Sequence, residues 1–188
     1  EGHEVVGYDP FVNALPEHPE AQEQGWRDVL ERADEFRFGT LAEACRSEVV
    51  FVAVQTPHEP AYEGITPLPE TRVDFDYTYL TNAIRDISTV CNNAKLHPVV
   101  AVISTVLPGT MAREVIPRLG HLEMVYNPAF IAMGTVIEDF LDPEFVLLGG
   151  PPAATRKVRR VYEEIGIDRF REVSLPSAEL SKVAYNTF

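Results

Sequence analysis

The sequence predicts an α/β fold, a doubly wound and mainly parallel β-sheet with helices on both faces. Two stretches, residues 48–54 and 99–103, are almost continuously apolar, which is typical of strands covered on both faces. A segment with apolar residues at helical spacing, 79–91, separates them. Strands that alternate with helices favour parallel strands joined by crossover helices, and such sheets bind ligands at the carboxyl ends of their strands.

Shorter elements precede this pair of strands. Residues 4–8 form an apolar run before Asp9 and Pro10, which predicts a strand with Asp9 at its carboxyl end. Apolar residues over 26–33 predict a short amphipathic helix, and the charged residues as far as Arg37 would form its solvated face. The run Thr40-Leu41-Ala42-Glu43 has the form of a capping box and predicts the start of another short helix.

The alternation continues to the end of the chain. Four prolines within 57–74 predict an extended loop, and Pro117 should end or kink a helix that starts at Thr110. Further strands are predicted at 124–126, 145–148 and 172–175, and further helices between Pro152 and Gly166 and from Pro176 and Ser177 onward. We expect the strands at 48–54 and 4–8 on one side of the sheet. The strands at 99–103, 124–126 and 145–148 should lie on the other side, with a first strand between the two halves.

Composition argues against several classes of protein. The chain has 16 Lys and Arg against 29 Asp and Glu, a formal net charge of −13, which opposes general binding to nucleic acid. No apolar run reaches the roughly 20 residues that span a bilayer. Cys45 and Cys91 lack metal-ligand spacing, and the five histidines are scattered. We therefore expect no metal, no membrane contact and a cytoplasmic protein.

Polar residues follow the carboxyl ends of the predicted strands. They are Asp9, Gln55, Thr56, Pro57, Ser104, Thr105, Asn127 and Pro128. An acid at the end of a second strand can hold both ribose hydroxyls of NAD and repels the extra phosphate of NADP. Taken alone, Asp9 is better explained as a turn residue before proline, and Thr105 has an alternative explanation as a hydroxyl that caps a backbone group.

Lys182 and Asn186 are four residues apart in the final helical segment, so they share one helix face. An ammonium and an amide aimed at one point could stabilise an oxyanion or orient a sugar hydroxyl. A solvated helix face, with Leu180 and Val183 on the other side, is the simpler interpretation of the spacing alone.

Short motifs follow one another from end to end of the chain. They are Val5-Val6-Gly7-Tyr8-Asp9, Val52-Ala53-Val54-Gln55-Thr56-Pro57, Ser104-Thr105-Val106-Leu107-Pro108-Gly109-Thr110, Asn127-Pro128, Gly134-Thr135-Val136-Ile137-Glu138-Asp139-Phe140, Asp142-Pro143, Gly149 and Ser177-Ala178-Glu179-Leu180-Ser181-Lys182-Val183-Ala184-Tyr185-Asn186-Thr187-Phe188. In order and spacing this set resembles the UDP-glucose/GDP-mannose dehydrogenase family of nucleotide-sugar dehydrogenases.

The resemblance implies a Rossmann-type NAD-binding domain over 1–175, with its first strand and helix upstream of Glu1. Residues 176–188 would begin the long helix of a central domain. The implied reaction is oxidation of the sugar CH2OH of a nucleotide sugar, such as UDP-glucose, to a carboxylate, with NAD as cofactor. A cysteine beyond residue 188 would be the nucleophile, and a homodimer would form through the central domain.

The resemblance also assigns residue roles. Thr105 would help to position the hydrolytic water, while Lys182 and Asn186 would stabilise the oxyanion and orient the reacting group. Asp9 would hold the adenine ribose. The residues that would line the dinucleotide are Thr56, Pro57, Ser104 and Thr105.

Two positions depart from the family pattern. Ala129 and Met133 stand where the family has glutamates, the first of which assists thioester hydrolysis. A methyl group and a thioether cannot accept a proton. A catalytically silent nucleotide-binding relative is therefore a second hypothesis. A third is a β-hydroxyacid or 6-phosphogluconate-type dehydrogenase, which also pairs Lys with Asn, although the segments 55–57 and 134–140 argue against it.

Overall fold

The computed structural model describes residues 3–10, 36–62, 67, 69–132 and 134–187. Its strands are β1 (Val5–Gly7), β2 (Phe36–Phe38), β3 (Val49–Val52), β4 (Val99–Val102), β5 (Glu123–Tyr126), β6 (Val146–Gly149) and β7 (Phe170–Val173). Its α-helices are α1 (Leu41–Ala44), α2 (Thr78–Ala94), α3 (Val136–Leu141), α4 (Pro152–Glu164) and α5 (Leu175–Thr187). The helix expected over 26–33 lies outside the described residues.

The strands form two sheets. Five strands follow the order β3-β4-β5-β6-β7, and β1 pairs with β2 in parallel. The strands β3, β4 and β5 are parallel to one another, whereas β6 meets β5 in an antiparallel contact between Gly149 and Tyr126. The sheet is therefore mainly parallel, which confirms the predicted fold class.

The expected strand order is wrong at β3. This strand pairs directly with β4, with Val49 opposite Val99, so the sheet divides between 4–8 and 48–54. The expectation was wrong because the sequence analysis missed β2, which lies between 4–8 and 48–54 in the chain and pairs with β1. Arg37, expected on a helix face, lies in this strand opposite Val6. A strand of three residues is too short to show alternation, so the charged residues before it dominated the pattern.

Both faces of the main sheet are covered. Val100 and Val102 pack with α2 on one face, while Val99 and Ala101 pack with α4 on the other. These four residues are at most 1% exposed. Side chains alternate across a strand, so a strand buried on both faces needs an unbroken apolar run. That requirement is why the run at 99–103 predicted β4 correctly.

Local signals located most helix ends. The capping box before α1 is confirmed, since Thr40 Oγ1 accepts from Glu43 N at 3.2 Å and Glu43 Oε2 accepts from Thr40 N at 2.8 Å. After Thr110 the chain forms a π-helical turn (Met111–Val115) and a 3-10 turn (Ile116–Arg118) that contains Pro117.

The last helix begins earlier than expected. Helix α5 starts at Leu175, and β7 ends at Val173 rather than continuing to 175. The cap is Ser174 rather than the predicted Pro176 and Ser177, because the Ser174 hydroxyl accepts a hydrogen bond from Ser177 N at 3.3 Å.

Close packing at Gly149 fixes the position of α5 on the sheet. A Cβ added to Gly149 would lie 2.4 Å from the Ala178 Cβ, far inside a van der Waals contact. The absence of a side chain at the end of β6 therefore lets α5 lie directly on the strand.

We predict that Gly149→Ala lowers the free energy of unfolding by about 1–3 kcal/mol, the usual cost of overpacking. The Gly149→Ala/Ala178→Gly double variant restores the space. Its loss in free energy of unfolding should be smaller than the sum of the losses of the two single variants, even though glycine in a helix costs about 1 kcal/mol. Urea unfolding of the four proteins measures both effects. Strictly additive losses would contradict the steric explanation.

Candidate functional site

The ends of β3 and β4 are tied together by side-chain hydroxyls. Ser104 Oγ donates to Val54 O at 2.7 Å and accepts from Val54 N at 3.0 Å, so the buried hydroxyl satisfies both backbone polar groups of Val54. Thr56 Oγ1 donates to Thr105 O at 2.7 Å. These bonds align the loops that leave the two strands at the carboxyl edge of the sheet.

The two threonines differ in what their hydroxyls do. That of Thr56 is engaged with the Thr105 carbonyl, whereas the Thr105 hydroxyl hydrogen-bonds to none of the described residues. Thr105 is half-buried. The described contacts therefore give no support to a backbone-capping role for Thr105, and they leave its hydroxyl able to donate to and accept from other groups.

Two more of the expected residues lie at the same edge of their strands. Asp9 is half-buried and follows β1 by two residues, and Pro57 is exposed at the end of the β3 loop. The Pro57 carbonyl accepts from Asp76 N at 2.8 Å, which connects this loop to the start of α2.

Asn127 has a structural role that the sequence analysis did not assign. Its amide Nδ2 donates to Leu147 O at 3.1 Å, and its Oδ1 accepts from the Tyr162 hydroxyl at 2.7 Å. Burial raises the pKa of Tyr162 to about 12, so this hydroxyl stays protonated and donates. Asn127 thereby joins β5, β6 and α4 instead of facing the edge of the sheet.

Lys182 lies on a buried face of α5, contrary to the solvated face that the spacing alone suggested. The residue is only 5% exposed, whereas Leu180 on the same helix is 60% exposed. Lys182 Nζ donates to Ala129 O at 2.8 Å and to Asn186 Oδ1 at 3.0 Å, and it lies 5.0 Å from the centre of the Phe130 ring. Both hydrogen-bond acceptors are uncharged.

Burial lowers the pKa of Lys182 below its usual value. Desolvation penalises the ammonium, and no acid among its hydrogen-bond partners offsets that penalty. A buried cation with neutral acceptors can stabilise negative charge that develops nearby more strongly than an exposed lysine can.

Glu179, one helical turn before Lys182, is a residue that the sequence analysis did not single out. It is 1% exposed, and its carboxylate accepts from Gly109 N at 3.0 Å and from Met111 N at 2.8 Å. The signal available in the sequence was the spacing of Glu179 and Lys182, which puts both charges on one helix face.

Tyr77 holds the opposite flank of the same turn. Its hydroxyl accepts from Leu107 N at 3.1 Å and from Thr110 Oγ1 at 3.2 Å, and it donates to Asp74 Oδ1 at 2.7 Å. Burial raises the pKa of this phenol, which keeps it a donor to Asp74. The turn after Thr105 is therefore fixed from two sides.

Two described residues have groups that suit a dinucleotide. Asp9, two residues after the end of β1, has a carboxylate, and carboxylates can accept hydrogen bonds from ribose hydroxyls. Thr105 has a hydroxyl that makes no hydrogen bond to another described residue. Within the described ranges, no helix is long and apolar enough to cross a membrane, and no three His, Cys, Asp or Glu residues are grouped as metal ligands would be.

Comparison with known proteins identifies the family of the chain. Residues 3–166 match the model of the UDP-glucose/GDP-mannose dehydrogenase family, NAD binding domain. UDP-glucose 6-dehydrogenase 1 of Arabidopsis thaliana is 31% identical over 98% of this chain and 40% of its own length. The chain thus spans less than half the length of this relative.

Solved structures show the same fold. A UDP-glucose dehydrogenase from Pyrobaculum islandicum superposes with a TM-score of 0.79 at 28% identity, over 98% of this chain and 44% of that one. A GDP-mannose dehydrogenase from Pseudomonas aeruginosa superposes with a TM-score of 0.81 at 23% identity, over the same two shares. The chain belongs to the UDP-glucose/GDP-mannose dehydrogenase family, and its residues 3–166 match the NAD-binding domain of that family.

Proposed function

We propose that this protein oxidises the sugar CH2OH of a nucleotide sugar, of which UDP-glucose is the first choice, to a carboxylate. The observation that carries the proposal is the buried ammonium of Lys182, which donates hydrogen bonds to the Ala129 carbonyl and to the side-chain oxygen of Asn186. It supports a reaction in which an oxygen becomes negative in the transition state. Curated relatives of the chain include UDP-glucose 6-dehydrogenases of Arabidopsis thaliana and of Oryza sativa subsp. japonica.

NAD, the cofactor of this family's domain, would supply the hydride acceptor, and two molecules of NAD and one water are needed because oxidation of CH2OH to a carboxylate releases two hydrides. In our proposal Asp9 binds the adenine ribose. The loops that end in Pro57 and Thr105, held by the Thr56 and Ser104 hydroxyls, line the dinucleotide.

The reacting end of the site is assigned to α5 and the β4 loop. Lys182 stabilises the oxygen that gains charge, Asn186 orients the reacting group, and Thr105 positions the hydrolytic water. The low-dielectric surroundings of Lys182 strengthen its attraction for that oxygen.

The remaining assignments complete the proposal. Residues 1–175 form the NAD-binding domain, to which a further strand adds between β1 and β3, and 176–188 begin the helix of a central domain. The protein works in the cytoplasm as a homodimer formed through that central domain. A cysteine beyond residue 188 is the nucleophile.

Incubation of the full-length protein with NAD and a panel of UDP- and GDP-sugars tests the activity. NADH formation with UDP-glucose is the expected result. The second candidate is a nucleotide-binding protein without turnover, which Ala129 favours because its methyl group cannot act as a base. If NAD binds saturably but no sugar of the panel yields NADH, the protein is the nucleotide-binding candidate and not the dehydrogenase.

We predict that the protein binds NAD more tightly than NADP by about tenfold or more, since hydrogen bonds to a charged group contribute about 1.5–3 kcal/mol. Asp9→Asn should reduce this ratio. Glu4→Gln, at the other end of β1, is the matched control and should leave it unchanged. Dissociation constants from isothermal titration calorimetry give the ratios, and equal affinity of the unsubstituted protein for both cofactors would rule out the role of Asp9.

Lys182→Met should lower kcat by about 10²–10³, the usual effect of losing one donor to a developing oxyanion. The variant should unfold at the same or a higher temperature at pH 7, because the desolvated ammonium destabilises the folded state. The sign follows from the lowered pKa of Lys182: the penalty is complete below the folded pKa and disappears as pH rises toward the unfolded one. Normal turnover in this variant would show that Lys182 is not catalytic.

Ala129→Glu should speed steady-state turnover by restoring a base for thioester hydrolysis, a contribution of about 10²–10⁴ in rate. Without it we expect a burst of NADH followed by slow turnover. The Lys182 ammonium hydrogen-bonds to the Ala129 carbonyl, so a carboxylate at 129 would lie close to a cation. Ala132→Glu, exposed in the same loop, is the control. Linear stopped-flow traces that are identical in all three proteins would exclude a hydrolytic role for position 129.

A further inference from the structure

The two buried charges of α5 serve different partners. Lys182 faces Ala129 and Asn186, while both oxygens of Glu179 accept from backbone amides of a turn 68 and 70 residues earlier in the chain. Each carboxylate oxygen therefore has its own donor, and Glu179 is not simply the counterion of Lys182.

The position of these amides is what gives Glu179 a task. Gly109 and Met111 lie in the turn that follows Thr105, the residue whose hydroxyl makes no hydrogen bond to another described residue. Gly109 adopts a φ of +89°, a conformation that favours glycine, and its carbonyl accepts from Arg113 N at 3.1 Å. The turn is thus a defined structure whose amides converge on one carboxylate.

A local side chain would satisfy these amides at a lower cost. Ser or Asn beside the turn could cap them without burying a charge, whereas Glu179 is almost completely buried. The carboxylate from α5 adds something that a local cap lacks, because it fixes the distance between the turn and the helix that holds Lys182 and Asn186.

We propose that Glu179 is a positioning residue for the reaction. It sets the place of Thr105 relative to Lys182 and Asn186, so that the groups on β4 and α5 act on the same reacting carbon. This inference rests on the proposed function for its kinetic consequences, although the tie itself can be measured without a substrate.

Glu179→Gln is the informative variant, because it keeps the size of the side chain and leaves only one acceptor for two amides. In the full-length protein we expect kcat to fall about tenfold, the factor that corresponds to losing one hydrogen bond to a charged group, with little change in KM. Leu180→Ala, on the exposed side of the same helix, is the control and should keep full activity.

A double-mutant cycle separates positioning from a general loss of stability. If Glu179 acts through the turn that follows Thr105, Glu179→Gln should have almost no further effect on kcat in a Thr105→Ala background. The proposal is wrong if kcat in the double variant falls by the product of the factors by which it falls in the two single variants. Glu179→Asp, which keeps both acceptors but shortens the side chain, gives a second series if the glutamine variant fails to fold, and an intermediate loss of kcat is expected.

Amide hydrogen exchange of the substrate-free protein completes the test. The amides of Gly109 and Met111 should exchange faster in Glu179→Gln and not in Leu180→Ala. Unchanged exchange at these two amides would overturn the proposal. If the unsubstituted protein forms no NADH with any nucleotide sugar, the proposed function is wrong, and the exchange result alone then decides whether Glu179 holds the turn.

Discussion

The buried charges of α5 are the constraint on which the site depends. A carboxylate and an ammonium, one helical turn apart, are removed from water and must each find partners inside the protein. Glu179 finds them in the turn after β4, and Lys182 finds them in the loop after β5 and in its own helix. Two separate segments of the chain, the turn after β4 and the loop after β5, are thereby located relative to one helix.

Apolar packing and the hydrogen bonds of buried charges both hold α5 in place. The contact of Ala178 with Gly149 sets how close the helix comes to the sheet, and the charges set which way it faces. The usual burial pattern of a helix is therefore inverted in α5: Leu180 and Tyr185 are exposed, whereas the charged residues Glu179 and Lys182 are buried. Burying an ammonium among neutral acceptors costs stability, and a site that stabilises developing charge needs that kind of environment.

The elements predicted best from the sequence are those that one local signal determines. Strand β4 follows from its unbroken apolar run and α1 from its capping box, and both lie where expected. Strand β2 and the inverted face of α5 did not follow, because each depends on partners distant in sequence. Strand β2 forms because its three residues pair with β1, and the buried charge of Glu179 on α5 is compensated by backbone amides. Ordered motifs recovered the family even so, since Lys182 and Asn186 keep their spacing whichever way the helix faces.

The two-sheet arrangement has a consequence for handling the isolated polypeptide. In the described part of the chain, β1 and β3 each pair with a strand on one side only, and Val5, Phe38 and Phe51 are all more than a third exposed. Open strand edges beside apolar side chains act as templates for pairing with another chain. A preparation of these 188 residues alone is therefore expected to self-associate as its concentration rises. Such association would reflect exposed strand edges.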